Sequence, residues 1–156
     1  KRKPQRLTNE GSYPHVMPVA LATTPDDILR RFAGMVELRP HLKESEFVTR
    51  VKRQQRAAYQ LAYLTEKGKV LALAGYRYSE SLSWGKFMYV DDLVTAEKSR
   101  SSGQGQKLIK WLINQAKSHD CDQFHLDSGV QRFGAHRFYL ASRMDIIAYH
   151  FALKLK

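Results

Sequence analysis

Residues 91–119 read DDLVTAEKSRSSGQGQKLIKWLINQAKSH, and the reading of this stretch decides the fold. It opens as a strand ending near Thr95 and passes through a polar turn into Arg100-Ser101-Ser102-Gly103-Gln104-Gly105. Helix follows at once, because Leu108, Ile109, Trp111, Leu112 and Ala116 recur at the 3.6-residue period. A strand that hands a glycine-spaced loop to a helix N-terminus aims unpaired backbone N–H groups and the positive end of the helix dipole at one point. Such a point is an anion site suited to phosphate or pyrophosphate. Residue type excludes the two commoner phosphate loops. A P-loop needs Lys-Ser/Thr after its last glycine, which Gly105 lacks, and the dinucleotide fingerprint needs a third glycine where Leu108 stands.

Upstream, the pattern changes from helical to alternating. Residues 17–22 (MPVALA) predict a first strand. Thr24 as N-cap, Pro25 at the first helical position and Asp26-Asp27 in the first turn predict a helix that runs to Pro40 through Ile28, Leu29, Phe32, Met35 and Val36. A second helix is expected over residues 45–55. Three strands then follow as a meander over residues 58–64, 70–78 and 85–95, joined by turns at 66–69 and 79–83. Downstream of the central helix, QFHLD at 123–127 predicts a strand, 129–141 a helix and 145–155 (DIIAYHFALKL) a closing strand. The order β-α-α-β-β-β-α-β-α-β excludes a pure meander barrel and predicts an α/β fold: a mixed sheet with helices on both faces.

Length and composition set the bounds. At 156 residues the chain is expected to form a flexible basic arm over residues 1–15 and a single domain over 16–156. No run approaches the roughly 18 apolar residues of a membrane helix, and KRKPQRLTNEG at the start has no apolar signal core. The lone Cys121 excludes an internal disulfide, and a reducing, cytoplasmic setting is the expectation. No His/Asp/Glu spacing suggests a metal site. The net charge of +11, from 26 basic and 15 acidic residues, suits polyanions generally and does not choose among them.

Three motifs now stand in order: the strand 91–95, the Arg-x-x-Gly-x-Gly of 100–105, and Ala135-His136-Arg137-Phe138-Tyr139 about thirty residues on. This arrangement resembles the GNAT acyltransferase superfamily, which carries Arg/Gln-x-x-Gly-x-Gly/Ala after its fourth strand and Ala-x-x-Phe-Tyr on a later helix. The resemblance covers residues 58–150 by motif and the first 57 by order of elements. Two positions depart from it. Arg143-Met144 stands where the family has Gly-Phe before the last strand, and Arg132 stands where many members have Asn.

The resemblance implies an N-acetyltransferase that moves an acetyl group from acetyl-CoA to a primary amine by direct attack in a ternary complex, without a metal. It puts the pantetheine of the cofactor along Leu93, Val94 and Thr95. It puts the pyrophosphate on N–H groups of Ser101, Ser102, Gly103, Gln104 and Gly105, with Gln106 contributing and Arg100 adding a charge-assisted bond. Arg132 would meet a phosphate. Tyr139 aligns with the tyrosine that protonates the departing thiolate.

A base must also take the acceptor's proton. Asp91 and Asp92 are the candidates, on opposite faces of their strand by the period of two, with Asp92 preferred. Glu46, His125 and His150 are poorer ones. The rival reading is a non-catalytic module of the same fold that binds acyl-CoA or nucleic acid through its basic surface. Against nucleic acid, the aromatics form no RNA-reading motif and the basic residues are spread along the chain. Tyr63, Tyr76, Tyr78, Trp84 and Tyr89 are candidates to line the acceptor cleft. The acceptor itself stays open, and the frequent dimers of the family leave a homodimer open too.

Overall fold

The meander expected over residues 58–95 forms the middle of a five-stranded sheet in the computed structural model, which describes residues 18–156. The arm expected over residues 1–15 lies outside the described residues. The sheet order is β1-β2-β3-β4-β5, where β1 is Ala20–Leu21, β2 Gln60–Glu66, β3 Lys69–Ser81, β4 Gly85–Thr95 and β5 Gln123–Leu126. Pairing is antiparallel from β1 to β4 and parallel between β4 and β5. The mixed sheet is thus the expected one.

Helices cover both faces. On one lies α4, Gln104–Ser118, whose Leu108, Leu112 and Ala116 pack on Ala62, Leu64, Ala72, Ala74, Tyr76, Met88 and Val90. On the other lie α1 (Pro25–Leu29), α2 (Phe32–Val36) and α3 (Glu44–Gln55). They bury Ile28, Met35, Phe47 and Val51 against Tyr59, Leu61, Leu73 and Val94. Each fully buried Leu or Phe here is worth about 1.5–3 kcal/mol relative to exposure, so the two apolar layers hold the sheet between them.

Several expected boundaries move. Thr24 does cap the first helix, its Oγ1 accepting the Asp27 N–H at 3.2 Å, but the helix expected to run on to Pro40 divides at Arg30 and Arg31. Arg31 turns back there, donating to Asp27 at 2.6 Å and lying 3.5 Å over the Tyr63 ring, and it is buried. The strand expected from residue 58 begins at Gln60, because Ala57 and Tyr59 both donate to the Gln54 carbonyl in a turn with Ala58 at φ +66°. The helix expected from residue 129 is α5, Phe133–Ala141. Residues before it turn instead, with Arg132 N–H donating to the Gly129 carbonyl at 2.9 Å.

The largest correction concerns the closing strand. Residues 145–155 pair with no strand, and their apolar side chains stand exposed. Alternation marks a chain able to be a strand, yet the segment comes near the sheet, with His150 Nδ1 2.7 Å from Asp127 Oδ2, and does not join the open edge of β5.

Candidate active site

The loop before α4 leaves a run of backbone amides unpaired. Arg100 N–H donates to Glu97 in the 3₁₀ turn Glu97–Ser99, and the next amide with a backbone acceptor is Lys107, on the Gly103 carbonyl at 3.0 Å. Among the described residues, the N–H groups of 101–106 therefore have no protein acceptor. Ser101 at φ +62° and Gly103 at φ +78° bend the backbone through the left-handed region. That region costs a residue with a Cβ roughly 1–2 kcal/mol. The two glycines serve different ends. A Cβ on Gly103 would meet nothing within 4 Å, so the space before the helix is open, whereas one on Gly105 would lie 2.8 Å from Thr95 Oγ1. Gly105 thus lets the helix start close on the end of β4. The Arg100 guanidinium bonds to the Thr95 carbonyl at 3.4 Å and lies 3.6 Å from Glu37. Ser102 Oγ donates back to the Ser99 carbonyl at 2.5 Å, and Gln106 accepts from Ser142. Gln104 Oε1 is buried without a hydrogen-bond partner among the described residues.

Ahead of the loop the sheet opens. β4 pairs with β5 only from Phe87 to Val90, so Asp91, Asp92, Leu93, Val94 and Thr95 continue without a neighbour on that side. A free strand edge of this kind accepts an extended chain by backbone hydrogen bonds. Pantetheine, with two amides in an extended chain, has the right chemistry for it.

The two acids do not lie on opposite faces. Opposite β3, Tyr76 pairs with Val90 and Gly75 with Asp92, so Asp91 is an extra residue, a β-bulge. The bulge breaks the period of two, and both carboxylates turn to the α1–α3 side. Asp92 accepts from Arg39 Nε at 2.8 Å and from the Tyr59 hydroxyl at 3.0 Å. Asp91 accepts from Arg77 Nε at 2.9 Å, and Arg77 also reaches Gln54 on α3 at 3.3 Å. Arg39 further donates to the Asp91 carbonyl at 2.9 Å. Burial, then the negative charge of Asp92, holds the Tyr59 phenol well above its ordinary value. It therefore remains a hydrogen-bond donor to the carboxylate.

Gly75 makes room for that donor, since a Cβ there would fall 1.9 Å from the Tyr59 hydroxyl oxygen. We expect Gly75→Ala to displace Tyr59 and cost about 1–3 kcal/mol, as overpacking does; a melting temperature equal to that of the native chain would refute it. Arg39, Tyr59, Gln54 and Arg77 were invisible as site residues in the sequence. One signal did exist: a lone glycine inside the strand VLALAGYRY marks a bulge or a close approach.

Arg39, Gln54, Tyr59, Asp91 and Asp92 line one cleft of about 820 Å³, walled by α2, α3, β4 and the chain after β5, with Tyr139 of α5 also lining it. Burial raises the Tyr139 phenol, and Arg132 offsets part of the rise. Arg132 and Arg53 line the cleft with no carboxylate partner among the described residues. Asp127, just past β5, lines it as well and accepts from the Tyr89 hydroxyl. Of the meander aromatics proposed for the acceptor side, only Tyr89 is there. Tyr76 is core, Tyr63 serves Asp27 and Arg31, Tyr78 stacks on His119, and Trp84 stacks on His125. Glu46 is held by Arg50 at 2.9 Å. Among the described residues there is no group of three metal-ligating side chains and no helix long and apolar enough to cross a membrane.

Comparison with known proteins gives this geometry a setting. The family model described as Acetyltransferase (GNAT) family matches residues 26–143. The chain is 31% identical over 118 residues to the uncharacterized N-acetyltransferase YhdJ of Bacillus subtilis, covering 75% of this chain and 83% of that protein. In structure it is similar to a transcriptional regulator from Bacillus halodurans, with a TM-score of 0.76 at 20% identity over 90% of this chain and 99% of that one. It is also similar to an acetyltransferase of Trypanosoma brucei, with a TM-score of 0.74 at 19% identity over 89% of this chain and 99% of that one.

Proposed function

The chain belongs to the GNAT acetyltransferase family, and on that premise we propose that it transfers an acetyl group from acetyl-CoA to a primary amine by direct attack in a ternary complex. One observation carries the proposal: the run of β4 at residues 91–95 left unpaired beyond β5 is followed, after the 3₁₀ turn Glu97–Ser99, by the unpaired amides of 101–106. A thioester with a pyrophosphate at the far end of an extended amide chain matches that sequence of features. When bound, acetyl-CoA supplies the activated acyl group.

The chain's own residues do the rest. Amides of 101–106 and the N-terminal end of the α4 dipole hold the pyrophosphate. A backbone N–H of the open β4 edge stabilises negative charge growing on the thioester oxygen. The Tyr139 hydroxyl, kept protonated by burial, hands its proton to the departing sulfur. Asp92 and Asp91 take the amine's proton, directly or through water. Each carboxylate already accepts from a guanidinium, Arg39 or Arg77, which holds it in place. Those pairings also cancel much of the negative charge that would attract a polycation.

Arg53 and Arg132 support an acceptor that carries an anionic group besides its amine. The test is acetyl-CoA-dependent release of free thiol with ω-amino acids against alkylamines of equal length. A charge-assisted hydrogen bond is worth about 1.5–3 kcal/mol, so kcat/KM is expected to favour the amino acid about tenfold or more. Arg53→Ala is expected to erase most of that preference and spare the alkylamine. Equal rates for both acceptors would overturn the acceptor class, and no thiol release with any amine would overturn the transferase reading itself.

A further inference from the structure

Helix α2 ends in a turn that holds the open run of β4 near both of its ends. At the start of the run, Arg39 donates to the Asp91 carbonyl at 2.9 Å and to Asp92 at 2.8 Å. Just past its far end at Thr95, Glu37 accepts the Glu97 N–H at 2.9 Å. The same Glu37 oxygen lies 3.6 Å from the Arg100 guanidinium. Among the described residues, no other cationic side chain is within ion-pair distance of Glu37, and no other carboxylate is that near to Arg100. The two side chains are 32% and 58% exposed, and a pair so wet adds little to the fold itself. We propose, on the reading of residues 101–106 as the pyrophosphate site, that Glu37 is a positioning residue that shares Arg100 with the pyrophosphate. By that sharing it loosens the hold on CoA and speeds its release.

Three features favour this role. First, Glu37 is held in place. Its turn is tied by the Leu38 and Arg39 N–H groups to the Met35 carbonyl at 3.0 and 2.9 Å, and by the Arg39 side chain to β4. The bond from Glu97 fixes the carboxylate as well, so its charge stays beside the loop when Arg100 turns elsewhere. Second, Arg100 is loosely held. Its contact with Glu37 is longer than a hydrogen bond, and its bond to the Thr95 carbonyl, at 3.4 Å, is a long one. A guanidinium has five N–H donors, and this one keeps several for another anion. Third, the charges oppose. A guanidinium that already faces a carboxylate presents a weaker positive field to a second anion. Product release limits turnover in many enzymes, and a resident carboxylate at this point acts on that step.

Glu37→Gln tests the role, because the amide keeps an oxygen for the Glu97 N–H and loses only the charge. In calorimetric titration its affinity for CoA is expected to rise about two- to fivefold, the scale of an exposed ion pair. CoA dissociation, followed by stopped flow, is expected to slow by a similar factor, with the melting temperature unchanged. In an Arg100→Met background the same substitution is expected to change neither quantity, so the two sites are non-additive. Equal or weaker binding by Glu37→Gln would make Glu37 a cap for the 3₁₀ turn and overturn the proposal. An equal gain without Arg100 would overturn it too, since the carboxylate would then act on the phosphates directly. A native chain that binds no CoA would remove the pyrophosphate site along with the role of Glu37. A native chain that binds CoA, with either of the other two results, would remove the role of Glu37 alone.

Discussion

Gly103→Trp is expected to abolish acetyl-CoA binding in a calorimetric titration while the chain remains folded. The position is left-handed, at φ +78°, and a Cβ there meets no atom within 4 Å. The cost to the fold is thus confined to backbone strain of about 1–2 kcal/mol. The indole, however, must occupy the open volume in front of the amides of 101–106. Losing two charge-assisted hydrogen bonds, at about 1.5–3 kcal/mol each, weakens affinity at least a hundredfold. Gly105→Ala should act by another route. Its Cβ would press on Thr95 Oγ1 and shift α4 from β4, so stability and binding fall together. Undiminished binding by Gly103→Trp would place the phosphates elsewhere on the fold.

Tyr139→Phe carries the second large effect. The change removes one hydroxyl from a half-buried ring and leaves the packing of α5 as it was, so the melting temperature and acetyl-CoA affinity should hardly move. General acid catalysis contributes typically about 10²–10⁴-fold, and kcat is expected to drop within that range. The pH profile adds a readout that a packing role would not give. Burial lifts the Tyr139 phenol above its ordinary value of 10.0, with Arg132 opposing. The proton-carrying form therefore persists as pH rises, and no alkaline decline due to this group is expected until above pH 10. A Tyr139→Phe chain with native kcat would assign the proton to another donor or to solvent.

The sequence and the structure agree most closely where the signal is local. The strand, glycine-spaced loop and helix were legible because glycine at 103, the helical stripe of Leu108, Leu112 and Ala116, and the strand before them are neighbours in the chain. The structure adds why each glycine stands there, one for its backbone angle and one for its nearness to Thr95. Tyr139 was legible through the Ala-x-x-Phe-Tyr motif, and it does line the cleft. The acids were found by type and misplaced by geometry, because the period of two assumes an unbroken ladder and Asp91 is a bulge.

By itself, then, the sequence determined the α/β class, the three-stranded meander, the helix that follows a glycine-spaced loop, and the family to which these belong. Those depend on hydrophobic period, caps and glycine placement, each decided by residues a few positions apart. Only the tertiary structure decided which groups meet at the acids. Arg39, Tyr59 and Arg77 reach Asp91 and Asp92 from 14 to 53 positions away, through a sheet register that no local pattern encodes. It alone decided the fate of residues 145–155 as well. Their alternation states that they can pair, but pairing is a property of two edges, and the second edge is fixed by how the rest of the chain packs.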